Sequence, residues 1–332
     1  MSKIELLAPA GDLEKAYTAL RYGADAVYVG GKKFSLRARA SNFEIEDIKT
    51  LVAYAHRHHK KVYVTMNIVA HDSDLDGLDE YIKTLDKIKV DAVIVSSPYI
   101  IERVRKLATK MSAHLSTQAS VTNHLAIDFY QKLGVTRVVL AREVTLAEIK
   151  KIAALVDTPL EVFIHGGMCS ALSGRCVLSN HMTLRDANRG GCAHSCRWNY
   201  TLYHDEKELP GTFNIGSKDL MALKYIPALI ESKVSSLKIE GRMKSAYYLA
   251  TVIRAYRMLI DRYYYLNKKG LSLKEEDYKN AEIEIRKAEN RETSCGFYEG
   301  APTVREQLYD NRSEIPTKAV SYTHLTLPTI RL

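Results

Sequence analysis

No uninterrupted apolar run in the sequence approaches the roughly 20 residues that a membrane-crossing helix needs. The longest candidate, Asp91 to Ile101, is interrupted by Ser96, Ser97 and Pro98. The N-terminus lacks the basic start and long apolar core of a secretory signal, and Glu5 sits inside its first apolar stretch. Pro/Gly/Ser-rich stretches and repeats of solenoid period are also missing. These absences argue against a helical membrane protein, a secreted protein, a repeat array and a disordered chain. The expectation is a cytoplasmic globular protein with no membrane partner. Two hydrolase signatures are lacking as well, the HExxH helix and the G-x-S-x-G elbow. Cysteine is scarce, with five in 332 residues. In a reducing compartment, close-set cysteines are better explained by metal or redox chemistry than by disulfides.

What is present is enough to build a large core: 46% of the residues are hydrophobic. Lysine and arginine outnumber aspartate and glutamate by 48 to 39, a formal charge of +9, which favours a polyanionic partner. Short β-rich apolar runs recur between helix-length amphipathic stretches. They are Ile4 to Ala8, Ala26 to Val29, Lys61 to Met66, Ala92 to Val95, His114 to Ser116, Arg137 to Leu140, Leu160 to His165 and Ser236 to Glu240. Eight strands alternating with helices predict an α/β fold, a TIM-like (β/α)8 barrel. Asp12 reads as a helix N-cap, and Thr145 with Glu148 as a capping box. The basic cluster from His56 to Lys61 suits a helix C-terminus and is given no functional role. The tyrosine- and arginine-rich run Met243 to Asn267 reads as a long helix packed on the barrel, with RNA contact as the alternative.

The alternation is broken once, by about seventy residues between the seventh and eighth strands, far longer than an ordinary barrel connection. Loops after barrel strands form the active face, so this insertion is expected over the barrel mouth. It holds Cys169-x6-Cys176-x15-Cys192-x3-Cys196, with Gly166, Gly167, Gly174, Gly190 and Gly191 beside the thiols and the run Arg185 to Gly191 between them. Four thiolates can complete a tetrahedral or a cubane centre, and glycines let backbone N–H groups turn toward anionic sulfur. Structural zinc usually shows two tight cysteine pairs, and only Cys192 and Cys196 form one, which favours iron–sulfur over zinc. Buried inert thiols are the competing reading. Four of five cysteines within 28 residues make it the weaker one, and the isolated Cys295 is assigned to packing.

The stretch Glu161-Val-Phe-Ile-His-Gly-Gly-Met-Cys169-Ser-Ala-Leu-Ser-Gly-Arg-Cys176-Val-Leu-Ser179 resembles the signature of the collagenase-like peptidase family U32. The resemblance extends through Glu5 to Gly11, Gly23 to Tyr28, Ser35 to Arg39, Cys192 to Trp198 and Lys238 to Lys244, so it covers nearly the whole chain. Within the family the chain is most similar to members that modify tRNA. That resemblance implies a TIM-like barrel and an iron–sulfur cluster, 4Fe-4S, ligated by Cys169, Cys176, Cys192 and Cys196. It also implies prephenate-dependent, oxygen-independent C5-hydroxylation of the wobble uridine, with tRNA as partner and a second U32 protein as a candidate subunit. The family name implies proteolysis instead, for which Cys169 would be the nucleophile and His165 or His194 the base. A cluster-bearing RNA-binding subunit without catalysis is the third reading.

Strand-end geometry places Arg142 and Glu143 after the sixth strand and Glu240 and Arg242 after the eighth, as candidate catalytic residues. Asn67 and Gln118, after the third and fifth strands, and Arg37 and Arg39, after the second, are candidates for substrate or RNA binding. A dicarboxylate such as prephenate calls for arginine, whose planar guanidinium pairs with carboxylates. A mutual ion pair is the competing role for Glu240 and Arg242. The expected organisation is a barrel over residues 1–268 with the cysteine-rich insertion at 166–235, then the start of a C-terminal extension at 269–320. Residues 321–332 resemble translated sequencing adapter and are set aside from the fold reading, because family members continue instead into a small β-rich domain.

Overall fold

The structure is a computed structural model. It describes residues 3–36, 42–204, 206–208, 210–211, 214–288, 291–303 and 306. Arg37, Arg39 and the tail at 321–332 therefore lie outside the described residues.

The eight expected strands all form, with ends shifted by a residue or two. They are β1 (Glu5–Pro9), β2 (Ala26–Gly30), β3 (Lys61–Met66), β4 (Ala92–Val95), β5 (Ser112–Leu115), β6 (Arg137–Val139), β7 (Leu160–Gly166) and, after three shorter strands, β11 (Ser236–Ile239). The shorter strands are β8 (Tyr203–His204), β9 (Lys207–Glu208) and β10 (Asp219–Met221), and β12 (Thr293–Ser294) comes last. Each barrel strand pairs in parallel with the next, and β11 closes the ring by pairing in parallel with both β7 and β1. β10 runs antiparallel to the end of β7, matching Leu220 with Gly166, and β12 adds to β10.

The helices are α1 (Leu13–Arg21), α2 (Ile45–Arg57), α3 (Leu78–Lys87), α4 (Pro98–Leu107), α5 (His124–Leu133), α6 (Leu146–Leu155), α7 (Leu178–Thr183), α8 (Ile226–Glu231), α9 (Ala246–Asn267) and α10 (Glu275–Ile285). Local chemistry starts them where the sequence indicates. The Asp12 carboxylate accepts from the Lys15 amide, and Thr145 and Glu148 satisfy each other's backbone N–H. Ile48, Leu51, Val52 and Ala55 recur at helical spacing in α2 and bury one face on the sheet. The long α9 behaves the same way: Tyr248, Tyr256 and Tyr263 are buried. Its arginines are paired, Arg254 with Glu284, Arg257 with Asp25 and Asp261, and Arg262 with Asp277. The Tyr264 hydroxyl accepts from the Ile4 amide at 2.9 Å and ties α9 to the first strand.

The residues following α9 pack back on the barrel. Ala281 and Ile285 of α10 join the main core, and the Tyr298 hydroxyl donates to the Phe163 carbonyl at 2.6 Å. Inside the barrel, Leu7, Tyr28, Tyr63 and Ile94 form an apolar layer. Against it sits a buried charge network: Lys238 Nζ donates to Glu161 at 2.8 Å, and Arg137 bridges Glu161 at 3.2 Å and Glu5 at 2.5 Å. Tyr63 and Ser236 donate to the same Glu5 carboxylate, which is how a charged group is tolerated there. Burial drives the pKa of Lys238 down, with Glu161 opposing. Glu161 lies below its ordinary value, because the Lys238 and Arg137 charges outweigh a burial that would raise it.

Candidate active site at the barrel mouth

The excursion begins where β7 ends. Gly166 has φ 103°, and a Cβ there would come within 2.5 Å of the Glu240 carbonyl oxygen, so only glycine lets the chain leave the strand against β11. The next amide, Gly167 N–H, donates to the Glu240 carboxylate at 2.9 Å.

From there the chain is fastened across the loops that follow β3, β5 and β6. Glu143 accepts from both the amide and the hydroxyl of Ser173, each at 2.7 Å, where Ser173 sits at φ 47°. Arg175 Nε donates to the Gln118 carbonyl at 2.8 Å. Arg189 forks onto Asp74 through two contacts, 3.0 and 2.5 Å, and the Asn188 carbonyl accepts from the Val69 amide at 2.9 Å. The Asn188 side chain in turn holds Cys176 by both backbone groups, at 3.2 and 3.0 Å. The insertion is thus a cap over the C-terminal ends of the strands, the face that carries chemistry in such barrels.

The cysteines are distributed along this cap. Cys169, Cys176 and Cys196 are half-buried, and Cys192 is exposed. Burial pushes the Cys169 thiol up. The Ala171 N–H that it accepts and the Arg142 guanidinium act the other way, and negative charge on Cys176 and Cys196 adds to the rise. Those two thiols therefore lie within electrostatic reach of Cys169. Among the described residues, no three His, Cys, Asp or Glu side chains converge closely enough to hold one metal ion.

The strand-end residues divide into two kinds. The Glu143 side chain and the Gln118 backbone carbonyl fasten the cap, and the Glu240 side chain holds its first turn. Asn67 accepts from the Leu36 amide at 3.4 Å and donates to Ser116 at 3.2 Å, linking the loops after β2 and β5. Arg242 is buried and directed at β2 and β3: it donates to Ser35 at 3.0 Å, to Thr65 at 3.3 Å and to Asn42 at 3.0 Å. Arg142 differs from all of these. Its guanidinium carbon lies 3.8 Å from the centre of the Phe163 ring, and among the described residues it has no carboxylate partner. It also lines a cavity of about 10 Å³ with Leu220, Phe297 and Tyr298, room for about one water.

His165, one of the two histidines offered as a base for Cys169, is engaged elsewhere. Tyr256 gives its only proton to the Ile164 carbonyl at 2.8 Å, so its contact with His165 Nδ1 at 3.3 Å must be donated by the ring. That leaves His165 Nε2 to accept from the Tyr248 hydroxyl at 3.0 Å. Burial lowers its pKa to about 3. A ring with both nitrogens committed, and a thiol whose pKa burial raises, are the reverse of an activated cysteine pair.

Sequence reasoning missed several residues that build the site. Asp219, at the head of β10, lies 3.6 Å from Arg197 and 3.7 Å from Arg291. Its pKa is raised by burial, with Arg197 and Lys244 opposing. Ser173, Asn188 and Asp74 were missed too. Asp74 and Arg189 are 115 positions apart, so no local pattern joins them.

A closed barrel of eight parallel strands, capped at its C-terminal mouth by a cysteine-bearing insertion after the seventh, defines a (β/α)8 protein. The chain belongs to Peptidase family U32, whose pattern it matches over residues 11–308. It is 46% identical over 331 residues to the tRNA hydroxylation protein P1 of Bacillus subtilis (strain 168), covering 95% of this chain and 75% of that protein. It is 39% identical over 265 residues to the 23S rRNA 5-hydroxycytidine C2501 synthase of Escherichia coli (strain K12), covering 78% of this chain and 39% of that one. Among solved structures, the U32 peptidase Mk0906 superposes with a TM-score of 0.50 at 13% identity, over 73% of this chain and 94% of that one, a likeness of fold. No described helix is long and apolar enough to cross a membrane.

Proposed function

We propose that this protein is an RNA-modifying enzyme that hydroxylates C5 of a pyrimidine, with the wobble uridine of tRNA as substrate, prephenate as co-substrate and an iron–sulfur cluster on its four cap cysteines. The carrying observation is the cap itself: Glu143, Gln118 and Asp74 fasten the cysteine-rich segment over the mouth, so that thiols and strand-end arginines share one face. The names of the relatives, one acting on tRNA and one on rRNA, support the substrate class.

The donor set fits an iron–sulfur cluster. Cys169, Cys176, Cys192 and Cys196 would hold it, since all four are soft sulfur donors, three of them half-buried and one accepting a backbone N–H. When bound, the cluster would supply one-electron chemistry or an iron that a substrate can ligate. The protein's own part is to bind and orient. Arg142, with its guanidinium carbon over the Phe163 ring and no carboxylate partner among the described residues, suits a carboxylate of the co-substrate. Arg242 stiffens the β2 and β3 ends of the mouth, and the cap shields the reacting atoms from water.

Two measurements test this reading. Protein purified without oxygen is expected to carry iron and sulfide in similar amounts and to absorb near 400 nm, and Cys176→Ala is expected to lose both. In cells lacking their own enzyme, the wild type is expected to restore 5-hydroxyuridine in tRNA and Cys176→Ala to restore none, read by mass spectrometry of nucleosides. Colourless protein together with cleavage of a gelatin substrate would return the peptidase reading to the front.

A further inference from the structure

Trp198 is the chain's single tryptophan, and it is 40% exposed two residues past Cys196. Its backbone amide donates to the Ser195 carbonyl at 3.1 Å, and the Tyr200 hydroxyl donates to the same carbonyl at 2.6 Å, so one carbonyl fixes the backbone of the first residue and the ring of the second. Tyr200 also touches the sulfur of Met182 at 3.7 Å, and Met182 is itself exposed. An aromatic and apolar surface left open beside a candidate active site marks a place where something docks.

The surrounding charge says what kind of partner. Residues 170–203 contain four arginines and one acidic residue, Asp186. Arg189 is committed to Asp74 and Arg197 to Asp219. Arg175 and Arg185 have no carboxylate partner among the described residues, and Arg185 Nε is buried without a hydrogen-bond partner. The Ser179 hydroxyl, which bonds both the Arg185 carbonyl and the Ala193 amide at 2.9 Å, stitches Arg185 to the segment that leads to Trp198. An exposed aromatic ring and arginines without a carboxylate partner, carried on one segment, match single-stranded RNA, whose unstacked bases lie on aromatic rings and whose phosphates meet arginine.

We propose that Trp198 and Tyr200, on the same basic segment as Arg185, form a stacking platform that receives an unpaired base of a single-stranded RNA segment and so guides the neighbouring nucleotide to the barrel mouth. This rests on the RNA-modifying reading and adds to it the surface and the RNA conformation.

The single tryptophan makes the test direct. The full chain is titrated with oligouridylate and, separately, with a fully paired RNA duplex, following Trp198 emission alongside RNA retention on filters. Emission is expected to fall in step with oligouridylate binding and to change little with the duplex. Trp198→Ala should weaken oligouridylate binding about tenfold while Trp198→Phe restores most of it. Arg185→Ala should reduce the salt dependence by about one released counterion. Circular dichroism confirms that the variants fold, and wild-type quenching does not depend on them. Retained RNA with unchanged emission, or equal binding by Trp198→Ala, overturns the platform and leaves RNA modification standing. Absence of RNA binding together with absence of 5-hydroxyuridine formation overturns both.

Discussion

At the scale of single residues, the site depends on a few positions that have no tolerable alternative. Gly166 is the sharpest case, because its φ of 103° disfavours any side chain and a Cβ would press on the Glu240 carbonyl. We expect Gly166→Ala to cost about 1–3 kcal/mol, from backbone strain before any clash is counted, and to lower the urea midpoint accordingly. An unchanged midpoint would show that the turn relaxes elsewhere. Glu143 makes the opposite point: its position at a strand end suggested chemistry, yet both its oxygens are spent on Ser173. Arg142 differs, since its guanidinium lies against the Phe163 ring and has no carboxylate partner among the described residues.

At the scale of elements, the cap is a long segment with short helices and few strands, held to the barrel by side chains rather than by a ladder. Such a segment opens more easily than the strands beneath it. Removing the Glu143 carboxylate deletes two hydrogen bonds to a charged acceptor, each worth about 1.5–3 kcal/mol. Glu143→Ala is therefore expected to speed hydrogen exchange and proteolysis within residues 170–190 while the exchange of β1 to β7 stays unchanged. Uniformly faster exchange would mean that the cap and barrel unfold together. The α9 helix shows the converse design. Its tyrosines alternate with arginines in the sequence, and the structure resolves the ambiguity by burying Tyr248 and Tyr256 against β7 while pairing the arginines with acids on neighbouring elements.

At the scale of the whole molecule, buried titratable groups set a pH dependence. His114 and His165 are both held near pKa 3, by burial first, with Arg137 adding to His114 and Lys244 to His165. Their ordinary value is 6.5, so between about pH 3 and 6.5 the unfolded chain binds protons that the folded chain does not. Stability accordingly rises with pH across that window, by roughly 1.4 kcal/mol per proton for each pH unit. Glu161, held below its ordinary 4.5, acts with the same sign at lower pH: its contribution is present above that value and is lost as the pH falls. We expect the urea midpoint to fall steadily from pH 6.5 to 4 and His114→Asn to flatten part of that slope. A midpoint independent of pH would mean that the unfolded chain keeps these histidines buried.

The sequence by itself determined the barrel, because eight apolar runs such as Lys61–Met66 and Ala92–Val95 carry their own periodicity and the helix caps at Asp12 and Thr145 are local chemistry. It also located the cap, since a connection of that length cannot be an ordinary loop, and it picked out the thiols, which are rare and crowded. Only the tertiary structure decided which strand-end residues fasten the cap and which tie the barrel's own loops together. It also decided that Asn188 holds Cys176, that Arg189 meets Asp74, and that His165 is closed off by Tyr248 and Tyr256. Those contacts join residues far apart in the chain, and their energies come from burial and geometry that no local pattern encodes.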